Sequence, residues 1–318
     1  MAKVIPILKK GFVLLLPFVF FVSAHINGKI RLFTFHYNRA DFVELQHRCL
    51  NKFLKEKNDY ELIVLNDATD PKYKQQIEQT CQKLKITCIN FPQELHLTGA
   101  LVDYLINTSN GSSKWLSTSQ GSVRHCQLAQ YALDNFGYNH DDIVGIMDGD
   151  LFLIKEFSLR EYLSNYDFIG AVQTDREAKG IEYIWIGAAF FNVKKLPNIK
   201  TLSFDLTFVN ETWLDSGGRT YYYLKNNPDI RIKKYYRQPI TDLPRNDKQK
   251  LKKLGFSQKE IRFFKRSLDC SFDSTPFLTT EFHIDNHFLH YANSRSKNKS
   301  YQKAKTKLFN DFFNDILS

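Results

Sequence analysis

The chain has 318 residues, 43% hydrophobic and 25% charged, enough for one large domain or two small ones with a real core. These proportions exclude a disordered, collagen-like or coiled-coil chain, and a mean hydropathy of −0.38 with one marked apolar stretch excludes a multi-pass membrane protein. The formal charge of +10 is concentrated in two segments, +7 across Pro244–Arg266 and +6 across Tyr291–Lys307, on a mildly acidic body; such segments meet nucleic acid, anionic lipid or a phosphorylated ligand, or are solvated helical faces.

Met1–Lys10 is basic, and Phe12–Val22 is an apolar run of eleven residues closed by Ser23 and Ala24. The run is too short to span about 30 Å of hydrocarbon as a helix, and its small closing residues fit a signal cleavage site. Residues 1–24 read as a signal peptide, with an uncleaved signal anchor as the alternative. The expected localisation is the secretory pathway, export or membrane anchoring. The rest, 29–318, reads as a single domain.

Ile30–Phe35 is β-branched and aromatic and predicts a first strand. Asp41 and Glu44 have the spacing of a capping box, and Phe42, Leu45, Cys49, Leu50, Phe53 and Leu54 recur at helical spacing. Tyr60–Leu65 predicts a second strand, and Asp70-Pro71 opens a second helix with Ile77, Cys81 and Leu84 inward. Ile86–Phe91 predicts a third strand, Thr108–Ser119 a polar loop, and Val123–Phe136 a helix closed by Gly137. Asp142–Met147, Leu151–Ile154, Asp167–Val172 and Ile184–Val193 are further strands. Five cysteines without a CxxC pair argue against a zinc cluster, and Cys49, Cys81 and Cys126 fall on apolar helix faces as buried thiols.

Strands alternating with helices predict an α/β fold with a mostly parallel sheet. No GxGxxG follows the first strand and no GxxxxGK[ST] occurs, so dehydrogenase and P-loop readings lose their main support. The sharpest feature is Asp148-Gly149-Asp150 directly after the apolar run Ile143–Met147. Ligands of open α/β sheets bind beyond the carboxyl ends of strands, and paired carboxylates there suit Mg²⁺ or Mn²⁺ bridging a diphosphate.

An apolar strand ending in D-x-D resembles the metal-binding motif of GT-A fold glycosyltransferases, which transfer sugars from nucleotide-diphosphate donors. The resemblance runs in order from about Lys29 to Asn293 and implies a GT-A fold with a central sheet flanked by helices and a basic helical extension. It implies that Asp148, Asp150 and a late histidine, His290 rather than His283 or His287, hold Mn²⁺ or Mg²⁺. It places the donor, a UDP-sugar by preference, on Tyr37, Asn38 and Arg39 after the first strand and on Asp67 after the second. Tyr37 and Asp67 are equally well ordinary turn residues.

The same resemblance sets Ser122 and Arg124 near the donor sugar, although Ser122 also suits a helix cap, and Gly149 and Lys297 along the diphosphate, with Arg295 and Lys299 nearby. Trp185 and Gly187-Ala188-Ala189 would lie under the sugar or acceptor, or simply pack in the core. Asp215, beside Gly217-Gly218, would be the general base or acceptor-side carboxylate, or a solvated turn residue. The chain lacks the His-x-x-Gly-x-x-Lys-Pro-Trp ending of one retaining branch, which leaves the anomeric outcome open.

The expected partners are the nucleotide-sugar, a glycan, protein or lipid acceptor, and a membrane surface met through the basic segments, but no nucleic acid. The lysine-rich element 244–266 is unexplained by the resemblance; Leu251, Leu254 and Ile261 would pack inward. Sequons at Asn107, Asn110, Asn210 and Asn298 permit glycosylation without requiring it. The sequence leaves two other readings open: another metal-dependent nucleotide or nucleotidyl transferase, and a catalytically degenerate surface-binding module.

Overall fold

A computed structural model describes residues 29–96, 120–173, 180–244, 246–269, 280–292 and 299–318. The leader at residues 1–24, the polar loop 108–119, Cys270, Arg295, Lys297 and three of the sequons lie outside the described residues, as does the side chain of Lys299.

The central sheet has seven strands: β1 (Ile30–His36), β2 (Tyr60–Asn66), β3 (Thr87–Asn90), β4 (Ile143–Asp148), β6 (Phe168–Val172), β7 (Ile184–Asn192) and β10 (Ile232–Tyr235). Their order is β10-β6-β7-β4-β1-β2-β3. β4, β1, β2 and β3 are parallel, β10 is parallel to β6, and β7 alone runs antiparallel to both its neighbours. The fold is thus α/β with a mostly parallel sheet, the architecture that the GT-A resemblance implies. β1 and β4 are buried along nearly their whole length, as strands covered on both faces must be.

Helix α1 (Ala40–Phe53) joins β1 to β2, and α2 (Pro71–Leu84) joins β2 to β3. Asp70 caps α2 by accepting from Lys72 N at 2.8 Å, and Pro71 takes the first helical position, where its missing N–H costs nothing. The capping box expected at α1 is absent. Arg39 is the N-cap residue and makes no side-chain cap. Its guanidinium instead clamps the Asp41 carboxylate at 2.8 and 2.6 Å, and Glu44 faces Lys83 at 3.8 Å. Cys49, Cys81 and Cys126 are buried.

Helix α3 (Gln120–Ala132) begins earlier than its apolar pattern indicates, so Ser122 lies inside the first turn rather than at the cap. Its end widens into a π turn over Leu133–Gly137 before β4. Between β7 and β10 lie the hairpin β8 (Thr207–Val209) and β9 (Thr212–Leu214) and the helix α5 (Thr220–Asn226). A short helix α4 (Leu159–Tyr162) precedes β6.

A second sheet positions the site. β5 (Leu151–Leu153), β11 (Gln238–Pro239), β12 (Glu281–His283) and β13 (Phe288–His290) form an antiparallel sheet in the order β11-β12-β13-β5. In it His290 pairs with Leu151, one residue beyond Asp150. The C-terminal helix α8 (Lys299–Leu317) backs this sheet, with Phe313 against Phe152 at 5.0 Å and Phe309 against Tyr291 at 4.6 Å between ring centroids. These edge-on aromatic contacts fix the strand that carries His290.

The lysine-rich element is two helices, α6 (Lys248–Lys253) and α7 (Gln258–Asp269). Leu251 and Ile261 are buried as expected, but Leu254 is 42% exposed. The chain leaves the helix there and turns at Gly255, so the apolar spacing read across the segment spans a break.

The expectation of a membrane-anchored chain is corrected for the described residues; the leader at residues 1–24 lies outside them. Among the described residues, no helix is long and apolar enough to cross a membrane. The longest, α8, interrupts its apolar stripe with Lys303, Lys305, Lys307, Asp311 and Asp315.

Candidate active site

A cavity of about 710 Å³ opens beyond the carboxyl ends of β1 and β4. Its lining brings together Tyr37, Asn38, Arg39, Asp67, Ser122, Arg124, Asp148, Gly149, Asp150, Asp215 and His290, residues drawn from separate stretches of sequence, and also Trp185. Of the site residues expected from the sequence, Lys297 lies outside the described residues, together with its neighbour Arg295 and the side chain of Lys299.

Asp148 ends β4, Gly149 makes the turn, and Asp150 precedes β5. The β5–β13 ladder then sets His290 Nε2 3.2 Å from Asp150 Oδ1 and 3.9 Å from Asp148 Oδ2. One ligand atom from each residue lies within 4.8 Å of the others, so the three form a group able to hold a metal ion. Two hard carboxylate oxygens and one imidazole suit Mn²⁺ or Mg²⁺ better than a thiophilic ion.

The electrostatics fit a cation site. Burial opposes ionisation of Asp148, but His125, His290 and His283 outweigh it and hold its carboxyl below the usual range. Burial likewise disfavours protonated His290, yet Asp150 and Glu281 on its two nitrogens raise its pKa to about 10.

Four residues that support the site were not read as site residues in the sequence. Gln46 of α1 is buried, and its amide donates to the main-chain oxygens of Asp148 at 2.7 Å and Leu151 at 2.8 Å. Its carbonyl accepts from Thr34 at 2.8 Å and faces His36 at 3.1 Å. The signal for it was a lone amide at helical spacing between Phe42 and Leu50 on the apolar face of α1. His125 places Nε2 2.9 Å from Asp148 Oδ1 and sits one residue after Arg124 in the helix that faces the cavity. Glu281 lies behind His290 at 3.3 Å. His96 bonds Asp67 from the short helical turn after β3.

The donor-side residues are committed to different degrees. Tyr37 is 50% exposed, and its hydroxyl meets Thr69 at 2.9 Å, which leaves ring surface open to the cavity. Arg124 lies over that ring at 5.5 Å. Asp67 is buried and both its oxygens are taken: Oδ2 by Arg124 at 2.7 and 3.0 Å, Oδ1 by His96 and by Gln93 at 3.0 Å. Its evident work is to hold Arg124. Arg39 is clamped by Asp41 and stacked on Phe42 at 3.5 Å.

Trp185 lies against His290 and His283, each at 5.4 Å between centroids. Gly187 makes room for this corner: a Cβ there would meet the Trp185 ring at 2.0 Å and Asp148 Oδ2 at 2.5 Å. Asp215 faces the cavity beside Ser216, whose hydroxyl lies 3.3 Å from it. Gly217 is left-handed, with φ of 93°, and packs on the chain of β7, where a Cβ would meet the Ile184 oxygen at 1.9 Å. That close approach is to the backbone of β7.

No family model and no curated protein matches this chain. Solved structures align with it weakly. Core-mannan synthase A from Aspergillus fumigatus in its Mn/GDP form is 10% identical, with 54% of this chain and 62% of that one covered and a TM-score of 0.37. The mannosyltransferase PcManGT from Pyrobaculum calidifontis, in complex with GDP-Man and Mn²⁺, is 11% identical, with coverages of 67% and 56% and a TM-score of 0.37. Residues 1–349 of S. aureus TarS are 13% identical, with coverages of 65% and 58% and a TM-score of 0.38. The chain spans between 56% and 62% of the length of these three proteins. The chemistry of the cavity is read from its own side chains.

Proposed function

We propose that this chain is a metal-dependent glycosyltransferase that moves a sugar from a nucleotide-diphosphate donor to a glycan, protein or lipid acceptor. The observation that carries the reading is the convergence of Asp148, Asp150 and His290 on one cavity at the carboxyl ends of parallel strands, with Tyr37, Asn38 and Arg124 lining the same cavity.

Asp148, Asp150 and His290 are the residues that would hold Mn²⁺ or Mg²⁺. When bound, the ion offsets the charge of the diphosphate leaving group. Tyr37 offers a ring face to the base, Asn38 its amide to the nucleoside, and Arg39 and Arg124 their positive charge to the donor. Asp67 acts through Arg124. Ser122 and the Gly149 backbone border the donor, and Lys297 is proposed to meet the diphosphate. Asp215 takes the proton of the acceptor hydroxyl, or orients that hydroxyl, from its side of the cavity. Trp185 gives the sugar an apolar surface. Most of the rate then comes from positioning and fixed charges rather than from covalent chemistry by the protein.

The test is incubation of the full chain with a panel of UDP- and GDP-sugars, with and without Mn²⁺, reading nucleoside diphosphate release. Manganese-dependent release from one donor supports the reading and names the sugar. No release from any donor by folded protein, together with tight binding of a free nucleoside triphosphate, would move the reading to another nucleotide-dependent transferase.

A further inference from the structure

Glu281 stands directly opposite His290 in the β12–β13 ladder. Its Oε2 lies 3.3 Å from His290 Nδ1, while Nε2 of the same ring faces Asp150 at 3.2 Å and Asp148 at 3.9 Å. The two ring nitrogens therefore address different carboxylates. Asp148 and Asp150 line the cavity; Glu281 is not among its lining residues.

Glu281 is itself held in place. Arg237 Nη1 approaches its Oε1 at 3.6 Å, and His283, fully buried, approaches Oε2 at 3.4 Å. Arg237 is fixed in turn by a bond to the Gln173 side-chain oxygen at 3.0 Å and by the Trp185 ring at 5.4 Å. A carboxylate so constrained has little freedom to turn toward the cavity.

A neutral imidazole has one lone pair and one N–H. If Nε2 gives its lone pair to an ion, Nδ1 must carry the proton and needs an acceptor. We propose that Glu281 is a positioning residue of the metal site: it accepts the Nδ1 proton of His290 and so aims Nε2 at the ion shared with Asp148 and Asp150. The proposal rests on the reading of those three residues as metal ligands. Glu281, His283 and His290 also lie close enough to hold an ion themselves. The single His290 lone pair can serve only one of the two groups, and the cavity reaches the aspartates.

The test is Mn²⁺ affinity of the full chain, read as free Mn²⁺ by electron paramagnetic resonance, in a double-mutant cycle of Glu281→Gln and His290→Asn. Unfolding temperatures confirm that each variant is folded, and Asp148→Asn is the control for the underlying site. Glu281→Gln is expected to weaken Mn²⁺ about tenfold or more in the wild-type background. In the His290→Asn background the same change is expected to cost less than about twofold, because its route to the ion is gone. Glu281→Asp, which keeps the charge, should recover part of the affinity.

Equal losses in both backgrounds would overturn the proposal in favour of Glu281 as a direct ligand or a general structural element. Unchanged affinity in Glu281→Gln, with Asp148→Asn having lost the ion, would overturn it while leaving the metal site standing. Wild-type affinity in Asp148→Asn would remove the metal site and the proposal together.

Discussion

The Gln46 side-chain amide donates to the main-chain oxygen of Asp148 at 2.7 Å, across 102 positions of sequence. That bond ties the first helix to the turn that carries both candidate metal aspartates. Replacing Gln46 with Leu keeps the bulk but removes the donor from the carbonyls of Asp148 and Leu151 in a buried place, and leaves the Thr34 hydroxyl only His36 at 3.2 Å. Unsatisfied buried groups cost about 1–3 kcal/mol each, so the expected loss is roughly 3 kcal/mol with partial relaxation. Urea unfolding measures it; a loss below about 0.5 kcal/mol would mean that the turn is held by other contacts.

Gly187 separates the Trp185 ring from Asp148, and a methyl group there would collide with both. Gly187→Ala is expected to displace the Asp148 carboxylate and weaken Mn²⁺ about tenfold or more, with an overpacking cost of roughly 1–3 kcal/mol. Manganese titration of the variant, paired with its unfolding curve, separates the two effects. Unchanged metal affinity would show that Asp148 can shift without leaving the site.

His36 is buried beneath the same turn, and burial lowers its pKa from 6.5 to about 4, against weaker support from Gln46 and Asp150. Between those values the unfolded chain binds more protons than the folded one. Stability is therefore fully present above about pH 6.5, is lost as pH falls toward 4, and levels off below that. The share assigned to His36 is about 3 kcal/mol. Urea unfolding at about pH 4 and about pH 7 should show a fall that is smaller by about that amount in His36→Asn; equal falls in both proteins would contradict it.

Asp67 reaches the cavity mainly through Arg124, since both its oxygens already accept protein donors. Asp67→Asn should weaken donor binding about tenfold when Arg124 is present and far less in an Arg124→Leu background. Calorimetry on the two single variants and the double variant checks this. Additive losses would instead favour direct contact between Asp67 and the nucleoside.

The sheet and its crossover helices were legible because β-branched strands and capped helices are local signals, as Asp70-Pro71 at α2 illustrates. The Asp148 and Asp150 pair was legible for the same reason, as polar residues ending an apolar strand. Glu281, Gln46 and His125 were not, because each acts on a partner brought close by strand register or helix crossing. Even His290, picked out by resemblance, meets Asp150 across 140 positions. Local signals also misled where a tertiary partner won: Asp41 pairs with Arg39 instead of capping α1, and Leu254 is exposed because its apolar stripe crosses a turn.

The central claim is that Asp148, Asp150 and His290 bind a metal ion that in turn binds a nucleotide-sugar. Calorimetric titration of the full chain with a nucleotide-sugar panel, with and without Mn²⁺, tests it most directly, with the Asp148→Asn/Asp150→Asn double variant as control. The expected result is binding of one donor that requires Mn²⁺ and disappears in the double variant. Donor binding of equal strength without the ion, or retained in the folded double variant, would contradict it.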